Sequence, residues 1–170
     1  IHALPFNPFV PVVNLVMNNR DHRKIMVIDG HTAFSGGANL ADEYINQLVR
    51  FGHWRDTGIR LRGDAAWSFT IMFLEFWNAN RPTDHDFTRF RPETHLDTPF
   101  AADGQVQPFA DSPVERESLS QNTYLELINQ ARHSLFITTP YLILNNEIQT
   151  ALCLAAKRGV DVRIYTPGIP

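Results

Sequence analysis

Short apolar runs separated by turn residues mark out the first third of the chain. Lys24-Ile-Met-Val-Ile28 is such a run, and Asp29-Gly30 follows it before His31 to Ser35. An Asp-Gly pair between two such runs predicts a tight hairpin turn. Gly36-Gly37 ends the second strand, and Ala38 to Asn46 reads as a short helix with Asn39 near its start. Thr57 to Arg62 alternates, Ile59 and Leu61 against Arg60 and Arg62, as a half-buried strand does. Ala65 to Asn78 is apolar on most faces and predicts a well-buried helix.

Residues 1 to 17 are apolar, but Pro5, Pro8 and Pro11 forbid a regular helix or central strand, so an extended packed arm is expected there. Pro, Asp, Thr and Arg dominate residues 80 to 107, the best linker in the chain. Beyond it, Gln105 to Ala110 has the character of a strand. Leu119 to Ala131 is helical, with Tyr124, Leu127, Ile128 and Ala131 on one face. Ser134 to Thr139 is a strand, Glu147 to Arg158 a helix, and Val160 to Thr166 a strand with Val162 and Ile164 inward. Asn145 or Asn146 can cap the last helix, and Gly159 can take its left-handed C-terminal position. Strand, helix, strand at this spacing predicts a parallel βαβ unit. The chain ends at Pro170, and a fresh parallel edge expects more chain or a partner. With Ile at position 1 rather than Met, this gives the expectation of a fragment.

The chemistry concentrates between Asp21 and Asn39. His22-x-Lys24 is followed after four residues by Asp29, and after six more by Gly36-Gly37-x-Asn39. His22 and Lys24, two apart at the start of a strand, share a face. An imidazole there can attack phosphorus, and an ammonium can neutralise a non-bridging oxygen. Backbone N–H groups after a Gly-Gly turn, with the Asn39 amide, make an anion cradle. Each residue has a plain alternative. His22 and Lys24 can be solvated strand residues, Asp29 the first residue of its turn, and Gly36-Gly37 a strand terminator. For Asp29 the turn role and a role balancing Lys24 are compatible. A histidine nucleophile also needs an acid on its other nitrogen. Asp56, in Trp54-Arg55-Asp56-Thr57 at the opening of the third strand, reads by itself as a surface acid pairing with Arg55 or Arg60.

This spacing resembles the signature of the phospholipase D superfamily. The wider match, through WRDT, FLEFWNA, ITTPYLI and AAKRGVDVRIYTPG, is similar to bacterial cardiolipin synthases. The resemblance implies an α/β fold with a mixed, largely parallel sheet flanked by helices. It divides the chain into the end of a first half (1–79), a linker (80–107) and the start of a second half (108–170). It implies a phosphatidyltransferase acting on phosphatidylglycerol through a phosphatidyl-histidine, at the bacterial cell membrane, with no cofactor and no metal. Catalytic roles would fall to His22, Lys24, Asp29 and Asp56, and phosphate binding to Lys24, Gly36, Gly37 and Asn39. A second such motif is required, from the same full-length chain or a homodimer partner. His53, His95 and His133 do not begin one, so the isolated fragment is expected to be inactive unless paired. The resemblance also places Pro140-Tyr141 near a shared cleft. Gly37 departs from the superfamily, many of whose members carry Ser there. The other readings are a phospholipase D or nuclease using water, and a non-catalytic module binding phospholipid head groups.

Bulk properties narrow this little. The 170 residues are 44% hydrophobic and 19% charged, ordinary for a globular protein. A net charge of −3 counts against a general nucleic-acid binder, so no nucleic acid is expected. The single Cys153 allows no internal disulfide, and no apolar run reaches the ~20 residues of a spanning helix. Seven histidines carry no zinc-ligand spacing. Arg50, Arg55, Arg60 and Arg62 read as a solvated face or a membrane contact, and Trp67, Phe69, Phe73, Phe76 and Trp77 as core.

Overall fold

A computed structural model describes residues 2–6, 21–50, 52–83, 85–92, 105–111 and 116–168. The chain divides into two compact units, Ile1–Phe109 and Ala110–Pro170.

The first unit is built on a three-stranded antiparallel sheet, β1 (Ile25–Ile28), β2 (Thr32–Gly36) and β3 (Gly58–Arg62), with β2 in the centre. Asp29 and Gly30 both take positive φ, 51° and 69°, and the His31 N–H closes the turn on the Ile28 carbonyl at 3.3 Å. Those φ signs give a mirror-image turn, whose twist suits a hairpin. Its register pairs Met26 with Phe34, and on the other side of β2, Phe34 with Arg60.

Helix α1 (Ala65–Asn80) follows β3 and touches all three strands. It covers the side of the sheet that carries Ile25, Val27, Ala33 and Leu61, where Ala33 is 0% exposed. Met26, Ile28 and Phe34 alternate to the other side and remain exposed. The expected deep burial of α1 is not what forms. Ala66, Thr70 and Leu74, one turn apart, are its buried residues, and Phe73 is half exposed. A small sheet offers one face, and one face can bury only one stripe of a helix.

The second unit comprises α2 (Leu119–Gln130), β4 (Ser134–Thr138), α3 (Asn146–Lys157) and β5 (Asp161–Tyr165). β4 and β5 pair in parallel, as the βαβ pattern requires. Ile128, Ala151, Leu152, Ala155 and Val160 form the core, and Leu125, Ala131, Leu135, Ile137 and Val162 pack around it. Asn145 caps α3, its side-chain oxygen accepting from the Ile148 N–H at 2.9 Å. Gly159 ends it at φ 92°. The Arg158 guanidinium reaches back to α2 and donates to the carbonyls of Ile128 and Asn129 at 3.1 and 3.3 Å.

Several expectations change. The sheet of the first unit is antiparallel throughout, and only the β4–β5 pair is parallel, so "largely parallel" does not describe the chain. The inward face of α2 carries Leu125 and Ile128, while Tyr124 and Leu127 are exposed. Ile164 is more than a third exposed. Residues 105–110 form no strand, and the linker stretch contains a short 3₁₀ turn, Thr88–Phe90. Most of the proline-rich arm lies outside the described residues. Of its described part, the Phe6 ring sits 4.8 Å from that of Phe76.

The burial difference along α2 is directly testable. Ile128→Ala is expected to destabilise the second unit by about 2–4 kcal/mol, as a deleted core methyl cluster does. Leu127→Ala, on the exposed side, is expected to cost less than about 1 kcal/mol. Urea unfolding of the two variants measures both values.

Candidate functional site

The parity of β1 decides where the motif points. Arg23 lies on the α1 side, its guanidinium 4.1 Å from the centre of the Phe76 ring. The Asp21 carboxylate holds it there, accepting from Arg23 Nε at 2.8 Å and Nη2 at 3.2 Å. Asp21 also accepts from the Arg23 backbone N–H at 3.1 Å. Arg23 thus continues the side of Ile25 and Val27, and His22 and Lys24 fall to the opposite side with Met26. The partial burial of Asp21 would raise its pKa. The hydrogen bonds and charge of Arg23, with a smaller contribution from His22, outweigh that and leave it lowered from 3.8.

On that opposite side an open groove of about 750 Å³ runs across the sheet. Lys24, Gly36, Asn39 and Asp56 line it, along with Met26 and Phe34. Four of the residues expected in the site therefore meet in one concavity, drawn from the start of β1, the end of β2, the following loop and the approach to β3. His22 is exposed beside it and is not among the lining residues. The Lys24 ammonium donates to the His22 carbonyl at 2.7 Å, one of its three N–H groups. Asp29 stands apart. It occupies the hairpin tip past the far end of β1, roughly 16 Å along the strand from Lys24 at about 3.3 Å per residue.

The glycine pair has a packing reason in each position. A Cβ on Gly36 would lie 2.7 Å from the Thr57 carbonyl, so only glycine lets β2 and β3 approach this closely. A Cβ on Gly37 would run into the Asp56 carboxylate, 2.9 Å from Oδ2 and closer still to Oδ1. The Gly37 N–H is donated to the Thr57 carbonyl at 3.4 Å. No helix follows. Residues 42–46 are turns, tied by bonds such as Tyr44 N–H to the Ala41 carbonyl at 3.1 Å. The helix start on which the anion cradle was expected does not form, and the Asn39 amide is the polar side chain that this loop contributes to the groove.

Asp56 is held on both oxygens. Oδ1 accepts from the Thr57 N–H at 2.7 Å, and Oδ2 from the indole Nε1–H of Trp54 at 3.1 Å. Among the described residues no hydrogen bond joins Asp56 to His22. The Asn39 amide donates to the Tyr44 hydroxyl at 2.5 Å. Trp54, Tyr44 and Asn46 escaped the motif reading, because nothing in the local sequence signals the bonds of Trp54 to Asp56, of Tyr44 to Asn39 and of Asn46 to Trp54. Arg60 also lines the groove, on the same side of the sheet as Phe34, and with Lys24 and Arg23 brings the cationic residues of the lining to three. Among the described residues no helix is long and apolar enough to cross a membrane.

Comparison with known proteins bears on this site. The family model described as cardiolipin synthase, PLD-like domain, matches residues 124–169. An uncharacterized protein of Streptococcus mutans is 48% identical over the whole chain, which covers 36% of it. Proteins named cardiolipin synthase from Halalkalibacterium halodurans and Staphylococcus aureus are each 37% identical over 100% and 99% of the chain. The chain spans about a third of the length of these relatives. No solved structure matches it.

Two expectations follow from this geometry. With its pKa lowered from 3.8, Asp21 stabilises the fold at pH values above 3.8, and that contribution is lost as pH falls through the lowered value. Asp21→Asn is therefore expected to lower stability near pH 7 by less than about 1 kcal/mol, the pair being partly exposed, and to differ progressively less from the parent below pH 3.8. Thermal melts across that range check it. Gly37→Ala is expected to displace the Asp56 carboxylate and break its two bonds, seen as faster exchange of the Thr57 amide proton.

Proposed function

We propose that this chain, similar along its length to proteins named cardiolipin synthase and matched over residues 124–169 by a PLD-like domain model, supplies one of two histidine motifs of a phosphatidyltransferase that joins two phosphatidylglycerol molecules into cardiolipin. The observation that carries the reading is the shared groove: Lys24 and Asn39, separated in the chain by β1 and β2, face the same opening as Asp56, with His22 at its side. One cation and one amide suit a phosphodiester, and a neighbouring carboxylate suits an imidazole that becomes positively charged.

In the proposed reaction an imidazole nitrogen of His22 attacks the phosphorus of phosphatidylglycerol. The bond from phosphorus to the departing glycerol oxygen breaks as the new phosphorus–nitrogen bond forms. A histidine from the second motif gives that oxygen its proton and glycerol leaves. The same histidine then takes the proton from a hydroxyl of another phosphatidylglycerol, whose oxygen displaces His22 from phosphorus. Lys24 and Asn39 hold the non-bridging oxygens while charge builds on them. Each Asp56 oxygen keeps a lone pair beyond its present bond, enough to accept an N–H from His22. Asp29 anchors the hairpin that presents His22 and Lys24, with no contact to substrate. Residues 1–79 serve as the end of a first half, 80–107 as the linker and 108–170 as the start of a second. The second motif comes from the full-length chain or from a second copy, and the substrate is met at the membrane surface.

The test uses the full-length protein in vesicles of phosphatidylglycerol radiolabelled at phosphorus. Parent protein quenched in denaturing detergent at neutral to mildly alkaline pH, where a phosphorus–nitrogen bond survives, is expected to carry label on His22, and His22→Ala to lose both the label and about 10⁴-fold in turnover. Undiminished cardiolipin formation by His22→Ala would overturn the assignment. Release of phosphatidic acid alone would point instead to water as the acceptor.

A further inference from the structure

The loop after β2 and the segment before β3 contribute Asn39 and Asp56 to the groove, yet neither belongs to a helix or strand. Such segments hold a position only if something ties them. The tie is a side chain. Asn46 takes φ 60°, the left-handed region that asparagine tolerates better than most residues. From there its Oδ1 accepts from the Trp54 backbone N–H at 2.6 Å, and its Nδ2 donates to the Trp54 carbonyl at 3.0 Å. One amide thereby satisfies both backbone groups of Trp54, as a neighbouring strand would.

Trp54, fixed in this way, connects to two groove residues, one directly and one through Tyr44. Its indole N–H bonds Asp56 directly. Its ring packs edge-on against Tyr44, with centroids 4.6 Å apart, and the Tyr44 hydroxyl accepts from the Asn39 amide. We propose that Trp54, latched by Asn46, is a positioning residue that sets Asp56 through its indole N–H and Asn39 through Tyr44, so that the two groove groups are held as one arrangement. The catalytic consequence rests on the proposed function; the latch itself does not.

Two measurements on the full-length protein separate these. Glycine adopts φ 60° without cost, so Asn46→Gly removes the two side-chain bonds and leaves the backbone path open. Hydrogen exchange is expected to quicken about tenfold or more in residues 39–46 and 54–57 and to stay unchanged in α1. Unchanged exchange in both segments would overturn the latch. For catalysis, Trp54→Phe keeps the ring against Tyr44 and deletes the N–H. It is expected to lower kcat on phosphatidylglycerol about tenfold with KM within about twofold, and to cost less than about twofold further in an Asp56→Asn background. An equal loss in both backgrounds would show that Trp54 does not act through Asp56 and would overturn its positioning role. Should the parent protein fail to turn over phosphatidylglycerol, the proposed function falls while the exchange measurement still decides the latch.

Discussion

The parity of the three-stranded sheet governs the first unit. With Ala33 fully buried on the central strand, β1 alternates: Ile25 and Val27 are half-buried on the side that α1 covers, and Met26 and Ile28 are exposed on the other. A slip of one residue in either pairing would move a whole set of side chains to the wrong side. Two devices fix β1. The Asp29-Gly30 turn sets the β1–β2 register through its positive φ values, and the Arg23 guanidinium over Phe76 holds the chain two residues ahead of β1. The side of the sheet on which His22 and Lys24 stand is therefore settled by residues that take no part in the proposed chemistry.

Local sequence speaks clearly where its signal is local. The hairpin, the β3 alternation, the βαβ unit and the Asn145 and Gly159 ends of α3 were all legible, since each depends on residues within a few positions. What failed depended on partners elsewhere. Apolar residues around α1 suggested deep burial, but burial is set by what surrounds a helix, and one small sheet covers one stripe. On α2, Tyr124 and Leu127 share a face with Ile128 by spacing, yet α3 meets the neighbouring stripe through Leu125.

The loop after Gly37 shows the same limit at the site itself. Nine residues that begin at Ala38 have helical spacing, but Asn39, Asp42 and Asn46 are poor helix formers whose side chains compete for backbone groups. Asn46 ends any helix by adopting positive φ and bonding Trp54, eight residues on. A motif reading finds the groups that suit a phosphodiester because their spacing is fixed. It does not find Trp54, Tyr44 and Asn46, because their part is played through bonds across a turn that no spacing rule encodes.

Charge follows a similar division between global and local. The chain is net negative, which would repel an anionic ligand at long range. Screening confines that repulsion to about 10 Å at ordinary ionic strength. Within the groove the nearer charges are Lys24, Arg60 and Arg23, with Asp56 committed to the Thr57 and Trp54 N–H groups. The groove therefore sets three cationic residues, Arg23 among them, and the Asn39 amide around one carboxylate whose charge is already partly answered. Holding Asp56 in two donors thus fixes the carboxylate at the groove and partly answers its charge there.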